Sequence, residues 1–284
     1  MNRNIILCAD GTGNKGGYTK DSNVFKTYNA VDIKADPNSQ ITFYDNGVGT
    51  STNKFLKALS GALGFGFQHN VRELYTFLSK NYGAAGNGYE DDKIYIFGFS
   101  RGAATIRAFN GFVHDCGLID RNSHDNEEDL RAEVNRLMKT YLRARYFENN
   151  ELLKKLAAGE PVKGCTSPRQ KIRVEFIGAW DTVAALGMPK RSDETGLASK
   201  LVNWFFNRID DVFDFFIHHR SYKFALTPNV NRACHALSID DARTSFWPRI
   251  WNESDTALAN VKVDQVWFAG MHSDVGGGYP RQDM

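Results

Sequence analysis

The chain has 284 residues, 42% hydrophobic and 24% charged, with a net charge of +2; that length buries a substantial core as one large α/β domain or two small ones. Lys and Arg are scattered, so no footprint for nucleic acid is visible, and no run approaches the roughly 18 apolar residues a bilayer span needs. The four cysteines (Cys8, Cys116, Cys165, Cys234) are far apart and form no C-x-x-C pair, which argues against a zinc site and fits a thiol-reducing compartment better than a disulfide framework.

In chain order, "NIILCAD" reads as a first strand; its apolar stretch is too short for a secretory signal, so the chain is expected to be made in the cytoplasm as a soluble protein. Gly11, Gly13 and Gly16 follow and spell G-x-G-x-x-G, the pattern of a dinucleotide-binding loop. In a nucleotide-binding fold a helix opens within that motif, yet "GYTKDSN" intervenes here before the periodic "VFKTYNAV". The acid such a site needs about twenty residues on, at the end of the second strand, is not there: Asp32 has the wrong context and Asp45 comes too late. A nucleotide-dependent oxidoreductase is therefore the weaker alternative, and NAD is not expected as a cofactor. No phosphate-loop G-x-x-x-x-G-K-[ST] occurs.

"QITFYD" is the second strand, and "HNVRELYTFLSKNY" places Val71, Leu74, Tyr75 and Leu78 on one helical face. "KIYIFGF" is the third strand. "KIRVEFIGAWD", "RACHALSID" and "VDQVWFAGM" continue the series. Most of these strands are apolar on both faces, as in a parallel sheet covered by helices on both sides. The alternation predicts one doubly wound, mostly parallel sheet with right-handed crossovers.

Two excursions exceed what a crossover needs, at about 121–158 and 190–222, and both are expected above or beside the sheet as cap elements of a single domain spanning 1–284. The second carries the aromatic run Trp204–His219. A buried packing helix is its simpler reading; a lid over an acyl pocket, using Phe205, Phe206, Phe213, Phe215 and Phe216, is the functional one.

Gly98-Phe99-Ser100-Arg101-Gly102 follows the third strand and opens a helix. This G-x-S-x-G elbow holds a serine strained with its hydroxyl exposed, and the glycines let strand and helix approach. A serine hydroxyl needs a base. In this fold the chain order is Ser, acid, His, which removes His69. His114 lies too far along the helix, His124 reads as a hydrated loop residue, and His235 falls near the wrong end of its strand. His218 and His219 close the aromatic segment. His272 remains, between a strand and the glycine-rich "SDVGGGY". For the acid, Asp181 and Asp240 each end a strand; the usual hydrolase arrangement favours the later one, while the residues themselves leave the two nearly even. Asp274 is read as ordering its own loop. The oxyanion hole is expected from the N–H of Arg101 and from the first loop, through Gly11 or Thr12, with Asp10 bonding that loop into shape.

The blocks "ILCADGTGN", "IYIFGFSRGAATIRAF", "FIGAWDTVAALG", "NVNRACHALSIDDARTSFWP" and "VWFAGMHSDVGGGYP" resemble an α/β-hydrolase family that includes the type VI secretion phospholipase effectors. The resemblance implies a Ser-Asp-His acyl hydrolase acting on phospholipid or another ester, at a membrane surface, with no metal and no cofactor. It favours Asp181 over Asp240, and it implies delivery out of the cell by a contact-dependent secretion system. The sequence names no secretion adaptor or immunity protein. Effectors of this kind continue into a further region, whereas twelve residues follow His272 here. A catalytically silent hydrolase-like binding module is the second alternative.

Overall fold

The computed structural model describes residues 3–11, 13–18, 20–31, 39–47, 65–83, 92–183, 222–241 and 248–279. Both the aromatic run 204–219 and Thr12 lie outside them. Among the described residues there are eight strands, β1 (Asn4–Ala9), β2 (Gln40–Asp45), β3 (Lys93–Phe99), β4 (Leu118–Ile119), β5 (Arg169–Gln170), β6 (Val174–Trp180), β7 (Val230–Ser238) and β8 (Lys262–Phe268). Six of them form one sheet in the order β2-β1-β3-β6-β7-β8, and every pairing in it is parallel. β4 and β5 pair separately and antiparallel.

Side chains alternate across the sheet because successive Cβ atoms point to opposite faces. Ile5, Leu7, Ile94, Ile96, Ile177 and Ala233 face one side and join the main core. There they meet α2 (Phe65–Asn81), whose Val71, Leu74, Tyr75 and Leu78 are the predicted stripe, and α3 (Arg101–Cys116). Burial of each such aliphatic side chain stabilises the fold by about 1.5–3 kcal/mol. Ile6, Cys8 and Phe99 face the other side, against Val24 of α1 (Asn23–Ala30).

Only the β1→β2 connection runs toward the β2 edge; the later ones run toward β8. The sheet therefore reverses between β1 and β3, and in open α/β sheets sites form outside the carboxyl ends of the strands at such a point. The loop after β1 and the elbow after β3 are neighbours for this reason.

The first excursion supplies α4 (Glu127–Tyr146) and α5 (Asn150–Ala157). They sit beside the sheet rather than above the elbow. Tyr141 of α4 packs on Phe112 and reaches Asp115, in the C-terminal half of α3 and away from Ser100. No described helix is long and apolar enough to cross a membrane.

Candidate active site

β3 ends on Phe99 and α3 begins on Arg101, so one residue must turn a strand into a helix. Ser100 does so at φ 59° and ψ −124°, a left-handed conformation costly for any residue with a Cβ. The glycines are forced by contact. A Cβ on Gly102 would stand 2.1 Å from the Ala9 carbonyl oxygen, and one on Gly98 would stand 2.7 Å from that of Gly102. The helix is thus pressed onto β1 and β3, and its first turn carries backbone N–H groups beside the serine. Ser100 N–H donates to the Trp180 carbonyl at 3.0 Å, tying the elbow to the end of β6.

His272 opens the short helix α6 (His272–Gly276) just after β8. Its ring stacks obliquely on Phe99, centroids 4.6 Å apart, and Gly276 lies so close to Phe99 that a Cβ would overlap the ring at 1.9 Å. Asn23 Nδ2 donates to the Val275 carbonyl and anchors α6 to the start of α1. The result places His272 Nε2 2.7 Å from Ser100 Oγ. His272 Nδ1 lies 2.6 Å from Asp181 Oδ2, with the carboxylate fully buried. An imidazole donating from Nδ1 to a carboxylate presents an unprotonated Nε2, which can take a proton from the hydroxyl.

Asp240, the alternative acid, is not part of this chain of contacts. It is exposed, and its Oδ2 accepts from Gly270 N–H at 2.6 Å, bracing the turn before α6. Asp274 accepts from Met271 N–H within its own loop, as its position suggested.

Asp10 is buried at the mouth of the first loop and accepts four bonds, from Gly11 N–H, Asn14 Nδ2, Ser22 Oγ and Tyr44 Oη. Burial and the bond to Asp10 push the Tyr44 hydroxyl well up, so it stays a donor. Gly11 N–H points at Asp10 Oδ1 at 2.6 Å rather than toward the serine. α1 opens at Asn23, well past Gly16, so the G-x-G-x-x-G stretch gains none of the helix a pyrophosphate needs. Asp45 ends β2, half-buried, and its Oδ2 is enclosed with no partner among the described residues.

Two other histidines differ from their sequence reading. His124 is not simply hydrated: its Nε2 meets the buried Glu133 at 2.7 Å, and Glu133 also accepts from Thr166 N–H, Ser167 N–H and Ser167 Oγ. His235 sits mid-strand in β7, fully enclosed, and its Nε2 accepts from Thr182 N–H at 3.2 Å, directly behind Asp181. Burial and the nearby Arg107 hold its pKa down at about 3, so the ring is neutral. Sequence reasoning also missed Ser238, the last residue of β7, which donates to Asp181 from both N–H and Oγ. The signal available for it was a polar residue closing an apolar strand.

A reversed parallel sheet, a strained serine elbow after its third strand and a histidine after its last define the α/β-hydrolase fold. Within that class, residues 3–284 match the model of the T6SS phospholipase effector Tle1-like catalytic domain, and the chain belongs to that family. An uncharacterised protein of Saccharomyces cerevisiae is 27% identical over 200 residues, covering 66% of this chain and 27% of that protein. An uncharacterised Pseudomonas aeruginosa crystal structure aligns with a TM-score of 0.46 and 17% identity, over 98% of this chain and 42% of that one. The Tle1 effector bound to the VgrG spike of the type 6 secretion system aligns with a TM-score of 0.46 and 18% identity, over 100% of this chain and 52% of that one. The chain thus spans about half, or less, of the length of these relatives.

Proposed function

We propose that this chain is one hydrolase domain that cleaves a carboxylic ester of glycerophospholipids through Ser100, His272 and Asp181. The observation that carries the proposal is the unbroken run of short contacts from Ser100 Oγ through His272 to a buried Asp181. Family membership supports the lipid as substrate.

Ser100 Oγ attacks the ester carbonyl as its proton passes to His272 Nε2, and Asp181 stabilises the resulting imidazolium. The tetrahedral oxyanion is held by the N–H of Arg101 and by a second N–H from the loop after β1. His272 protonates the departing alcohol, the lysophospholipid, and leaves an acyl ester on Ser100. Water then gives a proton to His272 and attacks the acyl carbon, and the fatty acid leaves as His272 returns that proton to Ser100 Oγ. No step calls on a metal or an organic cofactor. A membrane surface is the setting for this substrate, and export by a type VI apparatus is carried over from the family.

Hydrolysis of mixed phospholipid vesicles tests the reading. Ser100→Ala is expected to lower turnover by at least about 10³-fold. A fluorophosphonate should label the wild type at Ser100. A wild type that neither labels nor turns over vesicle lipid would mark a silent binding module instead.

A further inference from the structure

Asp181 occupies the left-handed region at φ 38°, so the turn after β6 aims its side chain away from the strand direction. Its N–H donates to the Ala236 carbonyl of β7 at 2.7 Å, which pins the backbone. The carboxylate is then gripped by the end of the same strand. Ser238 N–H reaches Oδ1 at 3.0 Å and Ser238 Oγ reaches Oδ2 at 2.7 Å. Oδ2 is also the atom that meets His272 Nδ1 at 2.6 Å, so one oxygen carries two charge-assisted bonds and the other carries one. Both residues are enclosed, Asp181 at 0% and Ser238 at 4% exposure, and no water is needed to satisfy the anion. A carboxylate with a free rotor could present either oxygen, or tilt both, to the imidazole. With both oxygens fixed it presents one.

We propose that Ser238 is a positioning residue for the reaction: its hydroxyl locks the Asp181 carboxylate in the single orientation that aligns and polarises His272. This rests on the Ser100–His272–Asp181 reading above. A hydroxyl that merely satisfies a buried anion would matter for folding and leave turnover alone. The backbone N–H of Ser238 survives any substitution, so the hydroxyl can be tested by itself.

The test uses the full chain. Ser238→Ala is expected to keep its thermal midpoint within a few degrees and its KM within about twofold, while kcat on a soluble ester falls about ten- to a hundredfold. Ser238→Thr, which retains a hydroxyl, should recover most of the rate. Ser238→Cys, of similar size with a weak donor, should not. The low-field proton resonance of His272 Nδ1–H should move in the Ala and Cys variants and stay in place in Thr. This signal reads the bond without turnover. Equal kcat for wild type, Ala and Cys with an unmoved resonance would overturn the proposal. Should the Ala variant fail to fold, the Thr and Cys pair decides alone. A wild type unlabelled at Ser100, or an active Ser100→Ala, would instead remove the catalytic reading and leave the Ser238 bond to be judged by the resonance.

Discussion

Asp45 ends β2 with one carboxylate oxygen enclosed and without a partner among the described residues, and burial, Glu73 and Asp10 all raise its pKa, to about 7 against 3.8. A pKa raised by folding stabilises the native state below the unfolded value and loses that contribution as pH climbs through the folded one. Asp45→Asn should therefore stabilise the protein at pH 8 by something on the order of 2–4 kcal/mol and make little difference at pH 4. Denaturant melts at the two pH values measure this; equal effects at both would refute it. His235 works in the opposite sense. Its pKa is lowered to about 3, so the unfolded chain takes up a proton below about pH 6.5 that the folded chain refuses until near pH 3. Stability drawn from the neutral ring is lost across that window as pH falls, by at most about 1.4 kcal/mol per unit. A His235→Gln variant, keeping an acceptor for Thr182 N–H, should show a flatter decline between pH 6.5 and 4. For the two candidate acids, Asp181→Asn is expected to cost about 10⁴-fold in kcat by fixing the wrong tautomer of His272, whereas Asp240→Asn should stay within about tenfold. A reversed ranking would reinstate Asp240.

At the scale of elements, the elbow was the most legible part of the chain, because its chemistry and its sterics are written in the same five residues. A Cβ added to Gly102 would meet the carbonyl oxygens of Ala9 and Asp10 at 2.1 and 2.5 Å, and both are backbone atoms that cannot swing aside. Gly102→Ala should separate α3 from β1 and yield little folded protein, whereas Gly83→Ala, with no atom of the described residues within 4 Å of the added methyl, should cost about 1–2 kcal/mol through its positive φ. Soluble yield and thermal midpoint compare them. The sheet strands were readable because most of them are short apolar runs, although β7 and β8 carry Arg232, His235, Asp264 and Gln265 in their interiors. β4 and β5 were not, since a two-residue pairing has no period to detect. The choice between Asp181 and Asp240 was equally hidden. Both close a strand, and what separates them is a turn at φ 38° that aims one inward, with Ser238 to receive it. Backbone angle and a partner 57 residues away leave no local trace.

On the scale of the whole molecule, the two faces of the sheet are unequally covered by the described residues. One carries α2 and α3, with α4 and α5 behind them. α3 is enclosed along nearly its whole length. The other face is covered among the described residues by α1 over β1, β2 and β3, and beyond that Phe176, Trp180, Ala236, Val266 and Phe268 line a groove of about 290 Å³. β8 is the outer strand, and Val266, Trp267 and Phe268 are each about half exposed, at 50, 48 and 49%. Opening free energy follows burial and contact density, so resistance to unfolding should grade across the sheet. Amides of β3, β6 and α3 should exchange only with global unfolding, and those of β8 should exchange earlier, followed by those of β2 at the opposite edge. The gradient bears on chemistry, because His272 is delivered from the end of β8, whereas Ser100 and Asp181 stand on the protected centre. Local opening at the β8 edge would therefore disengage His272, the proposed base, before Ser100 or Asp181. Hydrogen exchange with peptide-level resolution reads this directly: protection of residues 262–268 equal to that of 93–99 would show the edge to be held as firmly as the core, and the base would then be lost only when the whole sheet comes apart.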